Sequence, residues 1–196
     1  TLTGEELGVL WEVSKDIGKL SGDFIRLLIL SGQRRDDVRL MRWDEIDMKS
    51  CTWTIPADRY KTRMTHVVPL STPIMKVLHA RNKEGVTGFV LAGGDQEKPF
   101  NGASSALRRL RAKSNISENF TLHDFRRTCR SGLSRLGVDD VTAELVIGHI
   151  QQGMQKVYDQ YDRIDERTEA LQRWGSYVIS VVGESDDNIV PMSRGS

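Results

Sequence analysis

The amino-acid sequence predicts an α+β fold that is mainly α-helical and contains a small antiparallel β-sheet. Two observations lead to this fold class. Through most of the chain, apolar residues recur at three- and four-residue spacing, the period of helices packed on a core. Two short segments between residues 51 and 70 are instead rich in β-branched residues, as strands are. The 196 residues, 38% hydrophobic and 28% charged, are sufficient for one folded domain without a metal or disulfide.

The first elements are predicted to be helices. Thr3 and Glu6 have the spacing of a capping box ahead of apolar residues, so a helix begins there. A more apolar helix through residues 24–30 ends at the Ser-Gly pair that follows it, because glycine is common just after a helix C-terminus. A short helix over residues 38–41 comes next.

The sheet is predicted where the spacing changes. Residues 51–55 alternate between polar and apolar side chains, and residues 66–70 form a second β-branched run. A polar turn over residues 57–65 joins them, which predicts an antiparallel sheet of two or three strands. Residues 89–91 are a candidate for a further short strand.

Helices dominate the remainder of the chain. They are expected over residues 71–83, 103–113, 121–136, 139–147 and from 165 to about 181. Because no repeat or linker interrupts this pattern, we expect one domain over residues 1–183 and a flexible tail over residues 184–196. The last four residues resemble a vector-derived scar, and the chain opens without Met, so we expect a fragment or a processed chain.

The formal net charge of +1 conceals an uneven distribution. Residues 51–130 contain 14 basic and 6 acidic residues, whereas the segments on either side are acidic. Such a basic block is typical of a surface that binds nucleic acid, but a solvated Arg-rich face has the same composition. The total charge excludes only a uniformly basic protein.

The two cysteines, Cys51 and Cys129, match no disulfide framework or metal-binding pattern. We therefore expect reduced thiols and a cytoplasmic location, close to the bacterial nucleoid if DNA is the partner. No apolar run reaches the length of about 18 residues that a membrane span needs. The sequence also lacks a Walker loop and an HExxH motif, so we expect no metal.

Four separate segments are rich in cationic, imidazole and hydroxyl side chains: residues 31–38, 59–63, 121–128 and 148–158. Taken singly, each has a structural explanation, such as a surface cation, a charged hairpin or a helix cap. In their order and spacing, however, they resemble the tyrosine recombinases, or phage integrases. The resemblance covers about residues 1–182, and it rests on the motifs SGQRRxD, LxRWxxID, IP…KT…VPLS, HDFRRT, IGH and the later YDxY…EALxxW.

This resemblance implies the fold of DNA breaking-rejoining enzymes and a catalytic set with one supporting acid. The set is Arg34, Lys61, His123, Arg126, His149 and Tyr158, and the supporting position, usually Glu in the family, is Asp37. The arginines would hold the scissile phosphate, and the lysine and histidines would hydrogen-bond it or move protons. Tyr158 would attack the phosphorus; Tyr161 is the competing nucleophile, and the spacing from His149 favours Tyr158.

The resemblance also gives the basic block a role in binding DNA. The residues expected to contact phosphates are Arg63, Arg108, Arg109, Arg111, Arg127 and Arg130. A solvated helix face remains the alternative for residues 108–113. No cofactor is expected, because the phosphotyrosyl link keeps the energy of the phosphodiester. The expected partners are double-stranded DNA attachment sites, three further copies of the full-length protein in a homotetramer, and accessory DNA-bending or excision factors, with no membrane.

The function that the resemblance implies is site-specific DNA recombination for integration or excision of a mobile element, as in prophages. A type IB topoisomerase shares the phosphotyrosyl chemistry and is one alternative. A DNA-binding regulator without catalysis is another, although a regulator has no need of Tyr158. The apolar stripe of the last helix either completes the core of this domain or docks onto a neighbouring protomer.

Overall fold

The computed structural model describes residues 1–82, 86–116, 119–149 and 163–183. Most of the described chain is helical, which confirms the predicted mainly α-helical α+β class. The helices are α1 (Gly4–Lys15), α2 (Lys19–Ser31), α3 (Arg35–Arg39), α4 (Thr72–His79), α5 (Ala103–Ser114), α6 (Leu122–Arg135), α7 (Asp140–Val146) and α8 (Ile164–Val181). The predicted tail lies outside the described residues.

The sheet has three antiparallel strands in the order β1 (Ile46–Asp47), β2 (Thr52–Ile55) and β3 (His66–Pro69). The two strands predicted from the sequence are confirmed to within a residue at each end. Trp53 of β2 lies opposite Val68 of β3, and both side chains are fully buried. The sheet therefore turns one face to the core and holds the hairpin over residues 56–65 at the protein surface.

The strand predicted over residues 89–91 is wrong. Phe89 forms a single bridge with Arg42, and the Val90 N–H donates to the Met41 carbonyl at 2.8 Å. Pairing stops there because Trp43–Glu45 form a 3-10 turn that carries the partner segment away. A sequence pattern indicates that a segment can form a strand, but not how far the segment that pairs with it stays extended.

Two helix boundaries also differ from prediction. The short helix α3 covers Arg35–Arg39 rather than residues 38–41, because Met41 is drawn into the pairing with Val90. Helix α4 ends at His79 rather than at residue 83. Just beyond it, the Arg81 guanidinium donates to the Val90 carbonyl and to Asp23, which turns the chain back toward α2.

Helix α2 forms the centre of the fold. It is apolar on nearly all sides, and it packs against α1, α4, α5, α6 and α8. The indole N–H of Trp174 in α8 donates to the carbonyl of Ile29 in α2 at 2.9 Å, and the Trp174 ring is fully buried. The apolar stripe of α8 thus packs on the core of its own chain. None of the described helices combines the length and apolar composition that a membrane span requires.

Candidate active site

One cleft of about 1330 Å³ brings together residues from the four segments that are rich in cationic, imidazole and hydroxyl side chains. Helix α6, the loop before α3, the β2–β3 hairpin and the end of α7 each contribute to it. Of the six residues predicted to be catalytic, five line this cleft: Arg34, Lys61, His123, Arg126 and His149. Asp37 also lines it. Tyr158 and the competing Tyr161 lie outside the described residues.

Arg126 is the most buried cation of this cleft, with 3% of its surface exposed. It donates to the carbonyls of Gly32 and Ile147, which terminate α2 and α7. Carbonyls at helix ends lack intrahelical partners and carry partial negative charge, so they are favourable acceptors for a guanidinium. Burial, together with the positive charge of Arg34, lowers the pKa of Arg126 to about 10, which keeps it charged at neutral pH.

Arg34 is placed beside Arg126 by the turn between α2 and α3. Its guanidinium lies 4.7 Å from the centre of the Tyr60 ring, a cation–π distance. Its Nη1 atom is buried and lies 3.8 Å from Asp37, and within the described ranges it has no hydrogen-bond partner. Arg34 is therefore held between the Tyr60 ring and the Asp37 carboxylate, where it lines the cleft.

Asp37 is the acidic group of this cluster. Burial raises its pKa to about 6, against the opposing effect of the positive charges of Arg34, Arg59 and Arg126. Its Oδ2 atom, like Nη1 of Arg34, has no hydrogen-bond partner in the part of the chain that the structure describes. Asp37 thus partly neutralises the positive charge of the cationic cluster.

The hairpin that carries Lys61 is anchored by the neighbouring Tyr60, whose side chain is 2% exposed. The Tyr60 ring stacks on His66 with centroids 4.8 Å apart, and its hydroxyl lies 3.4 Å from the carbonyls of Ile147 and Gly148. Burial, with nearby guanidiniums, lowers the pKa of His66 to about 3, so this imidazole stays neutral. Lys61 itself is exposed in the cleft.

His123 lies in the first turn of α6, one turn before Arg126. A capping box starts this helix: the Thr121 N–H donates to the Asp124 carboxylate at 2.8 Å, and the reciprocal bond is present. Residues three apart share one face of a helix, so His123 and Arg126 both reach the cleft.

His149 enters the cleft immediately after α7. Gly148 has φ +65°, and the His149 N–H donates to the Glu144 carbonyl at 2.9 Å. The Nδ1 atom of His149 lies 2.8 Å from a carboxylate oxygen of Glu144. Within the described ranges, no group of three His, Cys, Asp or Glu side chains could hold a metal ion.

The arginines predicted to contact DNA are divided by the structure. Arg108 and Arg111 line the cleft, and Arg111 is held there by the Phe120 carbonyl and ring. Arg109 lies on another side of α5, where it donates to the Ser21 hydroxyl at 2.6 Å.

The remaining three do not line the cleft. Arg63 donates to the Asp58 carbonyl at 2.8 Å, and Arg127 is exposed beside Asp124. Arg130 is bonded to acidic residues of α7. Contact of any of these arginines with DNA stays a prediction.

The sequence interpretation missed several residues that organise the cleft. Gln33 donates to the Val146 carbonyl at 2.8 Å and so ties the end of α2 to the end of α7. Arg59 lines the cleft and is fixed by Glu45, at 2.7 Å. Tyr60 and Glu144 hold the hairpin and His149. The only sequence signal for these residues is that they stand within or next to the motifs.

Comparison with known proteins finds sequence similarity to phage integrases. The model of the Phage integrase family matches residues 1–163. Prophage integrase IntZ of Escherichia coli K12 is 30% identical over 171 residues, which cover 85% of this chain and 42% of that protein. The integrase of Enterobacteria phage P4 is 27% identical over 173 residues, covering 79% of this chain and 39% of that one. This chain therefore spans less than half the length of these relatives.

Solved structures show the same fold. The integrase from mycobacterium phage Brujita superposes with a TM-score of 0.65 at 16% identity, covering 80% of this chain and 52% of that chain. A lambda integrase dimer bound to a COC′ core site gives 0.61 at 22% identity, covering 79% and 59%. Because the family model matches residues 1–163, most of its length, the chain belongs to the phage integrase family.

Proposed function

We propose that this chain is the catalytic domain of an integrase that breaks and rejoins DNA strands at specific sites, for integration or excision of a mobile element. The observation that carries the proposal is the pairing of two guanidiniums, Arg34 and Arg126, in a cleft with two imidazoles and a lysine. Such a set fits one phosphodiester: fixed positive charge for the phosphate oxygens, and proton donors for the oxygens that attack and leave.

The two arginines bind the phosphate and stabilise its transition state. Guanidiniums remain charged and can donate two parallel hydrogen bonds to phosphate oxygens. Both arginines line the cleft, and Asp37 lies 3.8 Å from Nη1 of Arg34. As negative charge develops on the pentavalent phosphorus, preorganised donors of this kind contribute about 3 kcal/mol each.

The proton transfers fall to the other side chains. The Tyr158 oxygen attacks the phosphorus, and the bond from phosphorus to the 5′ oxygen breaks. Lys61 gives that leaving oxygen a proton, and His123 exchanges the proton of the tyrosine hydroxyl. The products are a 3′-phosphotyrosyl link and a free 5′ hydroxyl, and attack by a 5′ hydroxyl on that link reverses each step. Tyr158 is preferred to Tyr161 because it stands nine residues after His149.

Double-stranded DNA is the proposed partner. Arg108 and Arg111 add positive charge beside the catalytic residues, where they can contact flanking phosphates. Two structural neighbours support this partner, since the lambda integrase dimer is bound to a core site and XerH recombinase is bound to a difH substrate in a pre-cleavage complex. Assembly of four full-length copies on DNA, with accessory bending or excision factors, is part of the same proposal.

Trapping the covalent intermediate tests this function. The full-length protein is incubated with a nicked suicide duplex that spans the junction between the element that encodes it and the chromosome. We expect a protein–DNA adduct that is absent in Tyr158→Phe and present in Tyr161→Phe. An adduct lost only in Tyr161→Phe would overturn the choice of nucleophile.

Two further outcomes would overturn the proposed function itself. Relaxation of a supercoiled plasmid with no exchange between two labelled duplexes would indicate a type IB topoisomerase. Retention of DNA in a gel-shift experiment, with no adduct from any strand, would indicate a binding protein without catalysis.

A further inference from the structure

Arg130 of α6 is engaged within the protein by three of its nitrogens. Nε donates to Glu144 at 2.7 Å, Nη1 to the Ser134 hydroxyl at 2.6 Å, and Nη2 to Asp140 at 2.9 Å. A guanidinium with these bonds has little donor capacity left for a phosphate. Its position instead fixes Glu144 between α6 and α7.

Glu144 divides its two carboxylate oxygens between two partners. Oε1 accepts from Arg130 at 2.7 Å, and Oε2 lies 2.8 Å from Nδ1 of His149. Burial alone would raise the pKa of Glu144, but the hydrogen bonds from Arg130 and His149 outweigh it, so this pKa lies below the ordinary value. Glu144 is therefore ionised at neutral pH and can only accept hydrogen bonds.

An acceptor at Nδ1 determines the tautomer of His149. Because Oε2 of Glu144 carries no proton, the hydrogen of this bond must be on Nδ1. The neutral ring then has a lone pair at Nε2, the nitrogen on the other side of the imidazole. His149 is about half exposed and lines the cleft, so Nε2 is the nitrogen through which it meets DNA.

The burial of His149 and the charges around it determine its pKa, and therefore the pH at which Nε2 carries a proton that it can donate. Burial lowers the pKa of His149, the bond to Glu144 raises it, and the positive charges of Arg126 and Arg34 lower it. The net result is a pKa below the ordinary value of 6.5, so most of the free protein carries a neutral His149 at pH 7. A neutral ring in this tautomer presents a lone pair, which repels a phosphate oxygen.

We propose that Glu144 is a positioning residue that holds His149 in the Nδ1–H tautomer, so that His149 donates to a DNA phosphate only after it takes up a proton. The bound phosphate supplies the negative charge that favours this uptake, and Glu144 balances the resulting imidazolium. This inference rests on the proposed function for the phosphate. The tautomer itself is a property of the free protein, so it can be tested without DNA.

Nuclear magnetic resonance of the ¹⁵N-histidine-labelled protein tests the tautomer. Long-range ¹H–¹⁵N spectra, with His149 assigned through His149→Gln, should show Nδ1 protonated and Nε2 bare above pH 7. In Glu144→Gln the amide can donate or accept, so the Nε2–H form should appear as a substantial fraction. Asp140→Asn is the matched control, because it removes a partner of Arg130 and leaves Glu144 in place. An Nε2–H tautomer in the wild type, or no change in Glu144→Gln, would overturn the proposal.

The pH dependence of DNA affinity tests the proton uptake. Between the pKa values of His149 in the free and the bound protein, affinity of the full-length protein for the junction duplex should fall with rising pH, by at most about tenfold per pH unit. Glu144→Gln should flatten this dependence. In a His149→Gln background, the same change should have no further effect.

Each result of the affinity measurement has a distinct meaning. A wild-type affinity that is independent of pH would contradict proton uptake. An equal effect of Glu144→Gln with and without His149 would mean that Glu144 acts through helix packing alone. No DNA binding at any pH would contradict the proposed function, while the spectra would still decide the tautomer.

Discussion

At the scale of single residues, the two arginines of the cleft differ in what they do for the folded protein. Arg126 bonds to two helix-end carbonyls, whereas Arg34 lies against the Tyr60 ring and 3.8 Å from Asp37. We expect Arg126→Lys and Arg34→Lys each to reduce adduct formation by about 100-fold, since lysine cannot make paired bonds to a phosphate. Suicide-duplex assays measure this loss.

Stability should separate the same two variants. Arg126→Lys removes the guanidinium that donates to two buried helix-end carbonyls and should lower the free energy of unfolding in urea by about 2–3 kcal/mol. Arg34→Lys is the matched control and should cost less than about 1 kcal/mol. Equal destabilisation by both would contradict the structural part assigned to Arg126.

Gly148 should tolerate no side chain. Its φ is +65°, and a Cβ built there would lie 1.7 Å from the Tyr60 hydroxyl. Gly137 has φ +79° but nothing within 4 Å of such a Cβ, so Gly137→Ala isolates the backbone cost, about 1 kcal/mol. We expect Gly148→Ala to cost about 2 kcal/mol more in urea unfolding, because Tyr60 must move. If the two variants lost the same free energy of unfolding, Tyr60 and its hairpin could move away from the added Cβ without cost.

The sequence predicted which motif residues belong to the candidate site, but not which other residues hold them in place. Arg34 and His123 stand in motifs that can be read directly, and the structure brings them to one cleft. Gln33 and Tyr60 act through carbonyls more than 80 positions away along the chain. No local pattern encodes such a contact, so these residues were visible only as neighbours of the motifs.

At the scale of elements, prediction succeeded where the signal is local. The capping box at Thr3 starts α1 as the sequence predicts, because the box is complete within four residues. The strand predicted over residues 89–91 is wrong, because pairing depends on a partner that the 3-10 turn diverts. In this chain, a local capping box therefore predicts a helix more reliably than β-branched composition predicts a strand.

The β2–β3 hairpin should depend on Tyr60 for catalysis. Tyr60→Leu removes the ring that stacks on His66 and lies under Arg34, so Lys61 should lose its fixed position. We expect adduct formation to fall by about 10-fold or more, since a displaced catalytic group is costly. Tyr60→Phe should have a small effect, because the hydroxyl contacts are long, at 3.4 Å.

An exposed position of the same turn gives the control. Thr65→Ala changes the turn without touching the anchor and should leave adduct formation unchanged. If Tyr60→Leu retained full adduct formation, the hairpin would not need this anchor.

At the scale of the whole molecule, the net charge of only +1 is compatible with a basic DNA surface because folding brings the cations together. Arg34 comes from an acidic segment of the sequence, yet it joins Lys61, Arg108, Arg111 and Arg126 in one cleft. Segment counting predicted a basic block, but not that Arg109 and Arg130 would be engaged elsewhere. Their partners Ser21 and Glu144 belong to other helices, which composition does not reveal.

Two adjacent arginines of α5 test the distinction between cations that line the cleft and cations that are bonded elsewhere in the protein. Arg108→Gln should weaken DNA binding and reduce the slope of log affinity against log salt by about 1, the value for one lost phosphate contact. Arg109→Gln, one position along, should leave the slope unchanged because Arg109 is bonded to Ser21 outside the cleft. Gel-shift titrations over a salt series measure both, and equal slopes for the two variants would contradict the assignment.

The bonds from Arg126 to Gly32 and Ile147 predict which arginine is retained when the gene accumulates mutations after selection for recombination has ended. A copy that no longer recombines, but whose product must still fold to avoid aggregation, would keep Arg126 for the sake of the two helix ends. Arg34, which contacts the Tyr60 ring and Asp37 instead of helix-end carbonyls, would be substituted first. In a degenerate relative, an intact Arg126 would record selection on folding, whereas an intact Arg34 would record selection on chemistry.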